Sequence, residues 1–549
     1  MITCEHRDRV RPVAPRADGC EECLRSGDRW VQLRACLTCG HVGCCDSSRG
    51  RHAMEHFETT DHPLMRSAEP GETWSWCYVD RQGFDTAEPA PPGHPPPAAP
   101  ATEPASVRPF VDALNREFLV RGVDYFFADA QLEIIGPATG SGPPGRVTPA
   151  GDGAVEFDWL GFHHHFSKRG GALSGDERAM LASILRVLSV RHEVVFDAAL
   201  AAQSLHLFRG LPEDRFVSAF LDPSGYADPQ TSARVPDRVS QAIEVLRLSA
   251  LTTYENRRVE TGVLLFGAMP DACHVLPPRP ADAVPYASAL ASIRSFHRLC
   301  DGLQTLALVD RAGLLVELVD VQRWAEPYAG LPLPVPTIGR YRAHCEATLC
   351  GGHVCLVLTP NGEIKIFADG AQRFSFLDGR WRLSDSREKY AAWRRLIGDE
   401  QRAERLFTVA LDLADDRRGA LFLILDDAAA GDRLLSQDDL LTSRPTRDVD
   451  GTKQRLHYLL RDEDVLHIAP AVLESIARID GAVVLDPAGR LVAFGAILRV
   501  GRASSADVPA AEGGRTTAAL AASRFGKVLM VSEDGRVSLM YGGRRVWQL

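Results

Sequence analysis

No stretch of this chain approaches the ~18 uninterrupted apolar residues that a membrane-spanning helix needs. The first residues lack the basic segment and apolar core of a signal peptide, so we expect a cytoplasmic protein. An excess of positive charge is also missing, because the net charge is −10 over 549 residues. A general nucleic-acid binder needs a basic surface to release counterions from phosphates. We therefore expect no membrane and no nucleic-acid partner, while a local cationic pocket for one nucleotide stays open.

Cysteine is scarce beyond residue 87. The five cysteines there stand in no setting typical of a nucleophile with a partner histidine: Cys273, Cys300, Cys345, Cys350 and Cys355. No peptidase domain is therefore indicated. The other eight of the 13 cysteines, and five of the 17 histidines, precede residue 80. In a reducing compartment such a cluster indicates metal binding before it indicates disulfides.

The spacing within this cluster suits zinc. Zinc prefers four sulfur or nitrogen ligands in a tetrahedron, and a Cys-x-x-Cys turn supplies two thiolates. The candidates are two such turns, one further cysteine and three spaced histidines: Cys20, Cys23, Cys36, Cys39, Cys44, His52, His56 and His62. His52 and His56 are four residues apart, so a helix would place them on one face. The sequence therefore predicts a small zinc-stabilised domain with two to three ions.

Residues 4–84 resemble the ubiquitin-protease-type (UBP-type) zinc finger. The resemblance is carried by ligand order and aromatic positions: Cys4-x-His6, Cys20-x-x-Cys23, Trp30, Cys36-x-x-Cys39, Cys44, His52, His56, His62-Pro63 and Trp76-Cys77-Tyr78. It implies an interleaved scheme of three zinc sites: Cys20, Cys23, Cys44 and His52; Cys36, Cys39, His56 and His62; and Cys4, His6, Cys77 and Asp80. Asp80 stands where the family has cysteine, and a carboxylate oxygen is an acceptable zinc ligand.

In this family the finger binds the free C-terminal tail of ubiquitin through an aromatic pair and an arginine. Trp76 and Tyr78 match the aromatic pair. The arginine belongs two residues after Cys44, where this chain has Asp46. An anionic side chain there should repel a tail carboxylate. The resemblance therefore implies a site for a protein C-terminal tail, and Asp46 argues against ubiquitin itself as its ligand.

The composition predicts a multidomain protein of the α+β or mixed α/β class. A Pro-rich segment with almost nothing to bury predicts a semi-rigid linker. The predicted order is a finger at 1–87, a linker at 88–106, a middle α/β domain of unknown role at 107–235, and two repeated units at 236–386 and 387–549. In the middle domain, Ser174 and Glu177 predict a capping box that opens a helix, and 155–166 predicts a strand.

The repeat from residue 236 is the second informative feature. Each copy has an amphipathic helix, an apolar strand, a helix leading into a hairpin, an arginine-containing turn, a helix and a closing hairpin. The matching segments are 261–267 with 419–425, 306–313 with 482–489, and 353–362 with 527–535. Strands that alternate with helices predict two mixed-sheet α/β units. The shared order and turns indicate a duplication.

The second copy resembles the diadenylate cyclase domain over roughly 415–549. That family joins two ATP molecules into cyclic di-AMP, and its signatures are Asp-Gly-Ala and Arg-His-Arg. The first signature is intact in the second copy and the other keeps only its first arginine: Asp480, Gly481 and Ala482, then Arg515 followed by Thr516 and Thr517. The first copy keeps two arginines and loses the acidic signature: Arg340 and Arg342, with Gln304, Thr305 and Leu306 in place of Asp-Gly-Ala.

The physical roles of these residues follow from their chemistry. An aspartate at a strand start can hold Mg²⁺, Mn²⁺ or a ribose hydroxyl, and an adjacent glycine lets a nucleotide approach the backbone. Arginines at a helix N-terminus can hold phosphates. Three hypotheses follow: a non-catalytic sensor of ATP or a cyclic dinucleotide, which the divided signatures favour; an active cyclase whose composite site joins Asp480 to Arg340 and Arg342; or a scaffold without a ligand.

Overall fold

The computed structural model describes residues 6, 10–11, 13–28, 30–46, 48–69, 72, 74–80, 82–85, 104–127, 129–138, 146–151, 153–169, 172–254, 257–269, 273–287, 299–436, 439–441, 459–499 and 514–549. The chain divides into two compact units, Met1–Thr102 and Glu103–Leu549. Cys4 and most of the predicted linker lie outside the described residues. The mixed α/β multidomain class that the sequence predicts is confirmed.

The first unit is a small sheet with two short helices. Its strands are β1 (Leu33–Cys36), β2 (Val42–Cys44), β3 (Leu64–Ser67), β4 (Trp74–Cys77) and β5 (Gln82–Asp85), and its helices are α1 (Glu21–Ser26) and α2 (His52–Thr60). The strand order is β2-β1-β3-β4-β5, and every neighbouring pair is antiparallel. Buried cysteines take the place of larger apolar side chains in its interior. Small domains with little apolar core usually need a further source of stability, such as disulfides or metal ions.

The second unit begins with helices around an antiparallel sheet. Its first elements are α3 (Pro104–Phe126), β6 (Ala130–Pro137), β7 (Thr148–Gly151), β8 (Ala154–Trp159), β9 (Phe162–Lys168), α4 (Gly175–Val195), α5 (Ala198–Gln203), α6 (Pro212–Leu221), α7 (Pro229–Arg234) and α8 (Arg238–Ala250). The four-stranded order is β6-β9-β8-β7. The predicted capping box of Ser174 and Glu177 is confirmed at the start of α4.

The single strand predicted over 155–166 is wrong, because β8 and β9 form a hairpin within it. The chain turns at Leu160 and Gly161, whose φ angles are 48° and 80°. Two consecutive left-handed residues fit the tight turn that joins right-twisted antiparallel strands. Leucine gives no sequence signal for that conformation, since a branched side chain rarely adopts it.

Two large sheets follow. The first copy contains β12 (Thr261–Leu265), β13 (Thr305–Val309), β14 (Leu315–Asp320), α9 (Val321–Ala325), α10 (Arg342–Ala347), β15 (Val354–Leu358), β16 (Ile364–Ala368), β17 (Ala371–Leu377) and β18 (Arg380–Leu383), preceded by the small ribbon β10 (Thr253–Tyr254) and β11 (Arg257–Arg258). The second contains α11 (Ser386–Ile397), α12 (Glu400–Asp415), β19 (Ala420–Leu425), α13 (Ala430–Leu434), α14 (Pro470–Ala477), β20 (Ala482–Leu485), β21 (Leu491–Ala496), α15 (Gly514–Ala522), β22 (Gly526–Val531), β23 (Val537–Tyr541) and β24 (Arg544–Gln548).

The two sheets share one topology. The first runs β14-β13-β12-β15-β16-β17-β18 and the second β21-β20-β19-β22-β23-β24, so six strands correspond in order. In each, one central pair is parallel, β12 with β13 and β19 with β20, and the remaining neighbours are antiparallel. The turns match as well: the amide of Gly362 donates to Thr359 O, and that of Gly535 donates to Ser532 O. The predicted repeat is thus present as a repeated fold.

The central strands of both sheets are buried on both faces, which explains why they are continuously apolar. Every residue of β12, β15, β16 and β19 is buried. The first sheet separates two apolar clusters and the second sheet separates two more. Among the described residues, no helix is long and apolar enough to cross a membrane.

Candidate metal centres and nucleotide cavity

The first donor cluster combines Cys20, Cys23, Cys44 and His52. The Nδ1 atom of His52 lies 3.2 Å from Sγ of Cys20, 3.3 Å from Sγ of Cys23 and 3.4 Å from Sγ of Cys44. Bonds of about 2.3 Å to sulfur and about 2.0 Å to nitrogen place tetrahedral ligand atoms about 3.3–3.8 Å apart. The donor set and its spacing therefore fit a zinc ion.

The second cluster combines Cys36, Cys39, His56 and His62. The Nε2 atom of His56, on α2, lies 3.3 Å from Sγ of Cys39 and 3.4 Å from Nδ1 of His62. Desolvation lowers the pKa of His56 to about 4, with the neighbouring rings of His41 and His62 adding to the effect. The ring is therefore neutral near pH 7, and the neutral imidazole is the form that binds metal.

A third cluster brings His6, Cys77 and Asp80 together. Nδ1 of His6 lies 3.0 Å from Oδ2 of Asp80 and 3.7 Å from Sγ of Cys77. Sγ of Cys77 lies 3.6 Å from the same carboxylate oxygen. Cys4, the fourth ligand that the resemblance implies, lies outside the described residues. All three sets fall in the groups that the resemblance implies, and all three fit zinc in donor type.

Two supporting residues were not singled out from the sequence. Oε1 of Glu22 lies 2.8 Å from Nε2 of buried His41, and the His41 ring stacks on that of His56 at 4.1 Å between centroids. Glu22 also lies within the Cys20-x-x-Cys23 turn. The pair therefore contacts both of the four-residue clusters, and outer contacts of this kind fix the orientation of metal-binding side chains. The position of Glu22 between two ligand cysteines was the available signal.

The predicted tail site has an acidic neighbour. The hydroxyl of Tyr78 donates a hydrogen bond to Oδ1 of exposed Asp46 at 3.2 Å, and its ring stacks on Phe57. Burial first, and then the charge of Asp46, raise the pKa of Tyr78 well above its ordinary value. Trp76 is half-buried on β4. A carboxylate that approached Tyr78 would meet the carboxylate of Asp46.

In the second copy, the two signatures meet at one cavity of about 590 Å³. Its lining includes Asp480, Gly481, Ala482 and Arg515. Gly481 has φ +114°, and a Cβ there would lie 2.4 Å from the backbone of Gly495, so only glycine fits this position. The volume lies within the range of roughly 300–1,000 Å³ that is typical of small-molecule sites.

Arg515 lies at the start of α15, within the cavity wall. Its Nη1 atom is 3.4 Å from a carboxylate oxygen of Glu533, which also lines the cavity. A Cβ on Gly419 would lie 2.1 Å from the same nitrogen, so the absence of a side chain there leaves room for the guanidinium. Glu533 was not predicted as a cavity residue, and nothing in its sequence position distinguishes it from an ordinary turn residue.

The equivalent position in the first copy is filled by packed side chains. The strand registers place Leu306 where the second copy has Ala482, and Val319 where it has Ala496. Leu306, Val319 and Tyr341 belong to one buried apolar cluster. Asp301 lies three residues before the position of the Asp-Gly-Ala aspartate. It accepts hydrogen bonds from the amides of 303, 304 and 305. The second copy has an open space at this position. In the first copy, larger side chains fill the equivalent space.

The first copy's arginines do not line the cavity of Asp480. Arg340 forms an ion pair with Asp415 at the end of α12, and Arg342 pairs with Glu346 one helical turn later. Gly339 donates its amide to Asp412 Oδ1 at 2.6 Å. The composite grouping of Arg340 and Arg342 with Asp480 is therefore not assembled. Arg340 instead joins the first copy to the second at Asp415, whose buried carboxylate also pairs with Lys365.

The comparisons with known proteins concern mainly the finger. Residues 20–88 match the family model described as Zn-finger in ubiquitin-hydrolases and other protein. A stretch of 60 residues is 41% identical to the NAD-dependent deacetylase sir2A of Dictyostelium discoideum, and it covers 11% of this chain and 10% of that protein. The family match and the donor clusters together show a zinc-binding protein with a UBP-type finger.

Three solved structures show partial likeness. The protein RPA1320 of Rhodopseudomonas palustris is 53% identical over 16% of this chain and 83% of its own, with a TM-score of 0.15. A hypothetical membrane spanning protein of Bacillus cereus is 21% identical over 27% of this chain and 62% of its own, with a TM-score of 0.20. A double mutant of DacA from Staphylococcus aureus is 19% identical over 29% of this chain and 89% of its own, with a TM-score of 0.19. TM-scores this low assign no function to the second unit.

Proposed function

We propose that this zinc-binding protein is a nucleotide sensor, whose second α/β copy binds ATP or a cyclic dinucleotide without turning it over. The observation that carries the proposal is the cavity lined together by Asp480, Gly481 and Arg515. A carboxylate there can hold a ribose hydroxyl or a divalent cation, while the guanidinium can hold a phosphate. Gly481 packs against the backbone of Gly495 and Ala496 in the wall of this cavity.

The same cavity argues against catalysis. Thr516 and Thr517 replace the histidine and second arginine of the cyclase signature, and Glu533 lies beside the one arginine that remains. Two carboxylates and one guanidinium cannot neutralise a triphosphate without a cation. We therefore expect ATP to need Mg²⁺ or Mn²⁺ at Asp480. A cyclic dinucleotide carries fewer charges, so its binding needs less charge neutralisation.

Thermal unfolding with and without nucleotide tests the proposal. A ligand that binds the folded state alone stabilises it by about 2.7 kcal/mol at a hundredfold excess over Kd. ATP with Mn²⁺, or cyclic di-AMP, should raise the melting temperature, and Arg515→Ala should weaken binding by roughly 1.5–3 kcal/mol. Asp480→Asn should remove the dependence of ATP binding on Mg²⁺ or Mn²⁺. Arg340→Ala is the matched control, and it should leave the nucleotide response intact.

Chromatography of the incubated nucleotide separates the alternatives. Unchanged ATP and a thermal shift agree with a sensor. Cyclic di-AMP that disappears with Asp480→Asn would mean an active cyclase. No shift with any nucleotide and no product would leave only a scaffold.

For the finger, we propose a protein-tail site that discriminates against ubiquitin. The hydrogen bond between Tyr78 and Asp46 supports this, since it places a negative charge beside the predicted aromatic pair. Like charges that meet at an interface reduce affinity for the wrong partner.

A further inference from the structure

A second cavity, of about 340 Å³, lies between the two copies and shares no lining residue with the nucleotide cavity. The first copy contributes side chains from β16, β17 and β18. The second contributes the end of α12 and the turn between β22 and β23. A molecule in this cavity would therefore contact both copies at once. None of the predicted nucleotide-binding residues is part of it.

The wall from the first copy carries a row of three polar side chains. The strand register places Lys365 opposite Ser375, and Ser375 opposite Arg382. Residues directly opposite on adjacent strands have Cβ atoms about 4.5–5.5 Å apart. All three line the cavity, so an ammonium group, a hydroxyl group and a guanidinium group border it in one line.

The acidic side chains that line this cavity have cationic partners. Lys365 lies 3.1 Å from Glu363 and 3.0 Å from Asp415. Arg536 lies 3.0 Å from Asp534 in the β22–β23 turn. In the part of the chain that the structure describes, half-buried Arg382 has no carboxylate within ion-pair distance. Arg382 therefore brings guanidinium donors that no ion pair occupies to the lining of the cavity.

Apolar side chains line part of the remaining space, among them Leu377, Leu383, Leu411 and Val537, and two further cations, Lys389 and Arg417, also line it. We propose that this inter-copy cavity binds a small organic oxyanion, a carboxylate or phosphate group attached to an apolar body. The head group would bind at Ser375 and Arg382, and the body would contact the leucines. A guanidinium matches the planar, bidentate geometry of such head groups. This site is separate from the nucleotide cavity and does not depend on it.

Titration of the full-length, zinc-loaded protein with benzoate and phenyl phosphate, monitored calorimetrically, tests this site. Benzamide, which has the same ring and no charge, is the matched ligand. We expect one of the two anions to bind and benzamide to bind at least tenfold more weakly, because a charge-assisted hydrogen bond contributes about that factor. The two anions separate a carboxylate site from a phosphate site.

Variants locate the binding. Arg382→Gln and Ser375→Ala should each weaken anion binding, by about tenfold or more for the arginine. Arg395→Gln removes an exposed charge outside the cavity and should change nothing. Arg515→Gln should also leave anion binding unchanged. If this variant instead lost anion binding, the anion would bind in the nucleotide cavity. Absence of binding by both anions, equal binding of benzamide, or unchanged binding in both Arg382→Gln and Ser375→Ala would overturn the proposal.

Discussion

At the scale of single residues, one substitution relative to a family pattern can reverse the charge of a site. Asp46 lies where the UBP-type pattern has arginine, and it accepts a hydrogen bond from the hydroxyl of Tyr78. The ring of Tyr78 remains stacked on Phe57. The aromatic part of the predicted tail site is therefore retained while its electrostatic part has the opposite sign.

Asp46→Arg should create affinity for the ubiquitin tail. The change replaces a repulsive carboxylate with a donor that can pair with the tail carboxylate, so binding should improve by about tenfold or more. Fluorescence anisotropy of a labelled tail peptide measures this, and the peptide with an amidated C-terminus is the control. Micromolar or tighter binding of the tail by the unaltered protein would show that Asp46 does not discriminate.

Residue spacing predicted ligand groups better than it predicted charged partners. Zinc requires several donors within one coordination sphere, so the order of Cys20, Cys23, Cys44 and His52 carries geometric information. The position of an arginine in the sequence carries no information about which carboxylate it will pair with. Arg340 was expected at a phosphate, and it pairs instead with Asp415. No sequence pattern indicated that the end of α12 would reach the first copy.

At the scale of elements, the C-terminal end of α12 concentrates negative charge against the first copy. Asp412, Asp415 and Asp416 lie there, and Glu474 of α14 is close enough to interact with them. Burial first, and then these neighbouring carboxylates, raise the pKa of Asp412 to about 6. The amide of Gly339, which donates a hydrogen bond to this carboxylate, acts in the opposite direction and favours the charged form.

Asp412→Asn should therefore stabilise the second unit at neutral pH. The pKa of Asp412 is higher in the folded state than the ordinary 3.8, so the wild-type protein loses stability as pH rises from about 4 through about 6. Asparagine still accepts from Gly339 and carries no charge. Allowing for solvent screening, we expect a gain of about 1 kcal/mol at pH 7.5 that disappears near pH 4.

Denaturant unfolding at several pH values measures this gain. Asp416→Asn is the matched control, since it removes an exposed carboxylate that pairs with Arg478 at 2.7 Å and should not stabilise. A loss of stability in Asp412→Asn at neutral pH would mean that its charge is favourable in the folded protein.

Element order was more predictable than local turns. The repeat of apolar strands and glycine turns predicted the two copies, and both sheets have the same strand order. The hairpin at Leu160 was missed, since leucine rarely marks a left-handed turn. The filled site of the first copy could not be read from its motif alone, because it results from Leu306 and Val319 packing across strands.

At the scale of the whole molecule, the two compact units rely on different sources of stability. Among the described residues, unit Met1–Thr102 buries cysteines and few large apolar side chains, whereas unit Glu103–Leu549 has four extensive apolar clusters. Metal removal should therefore affect them unequally. We therefore expect folding of the finger, and not folding of the second unit, to depend on zinc.

Elemental analysis should find two to three zinc ions per chain, as the three donor clusters indicate. A strong chelator, or Cys20→Ala, should unfold the finger and leave the second unit folded, since structural zinc supplies the folding free energy of such domains. Two-dimensional NMR or limited proteolysis distinguishes the units. A finger that stays folded in chelator would contradict the assignment of these cysteines as zinc ligands.

The number and fate of bound nucleotides per chain test the sensor proposal most directly. The second copy has an open cavity with Asp480 and Arg515, while the corresponding space in the first is packed. Equilibrium dialysis with radiolabelled ATP and Mn²⁺, or with cyclic di-AMP, should therefore saturate at one molecule per chain. The recovered nucleotide should be unchanged, and Arg515→Ala should reduce its binding. Two molecules per chain, or conversion of ATP into cyclic di-AMP, would contradict a single non-catalytic site.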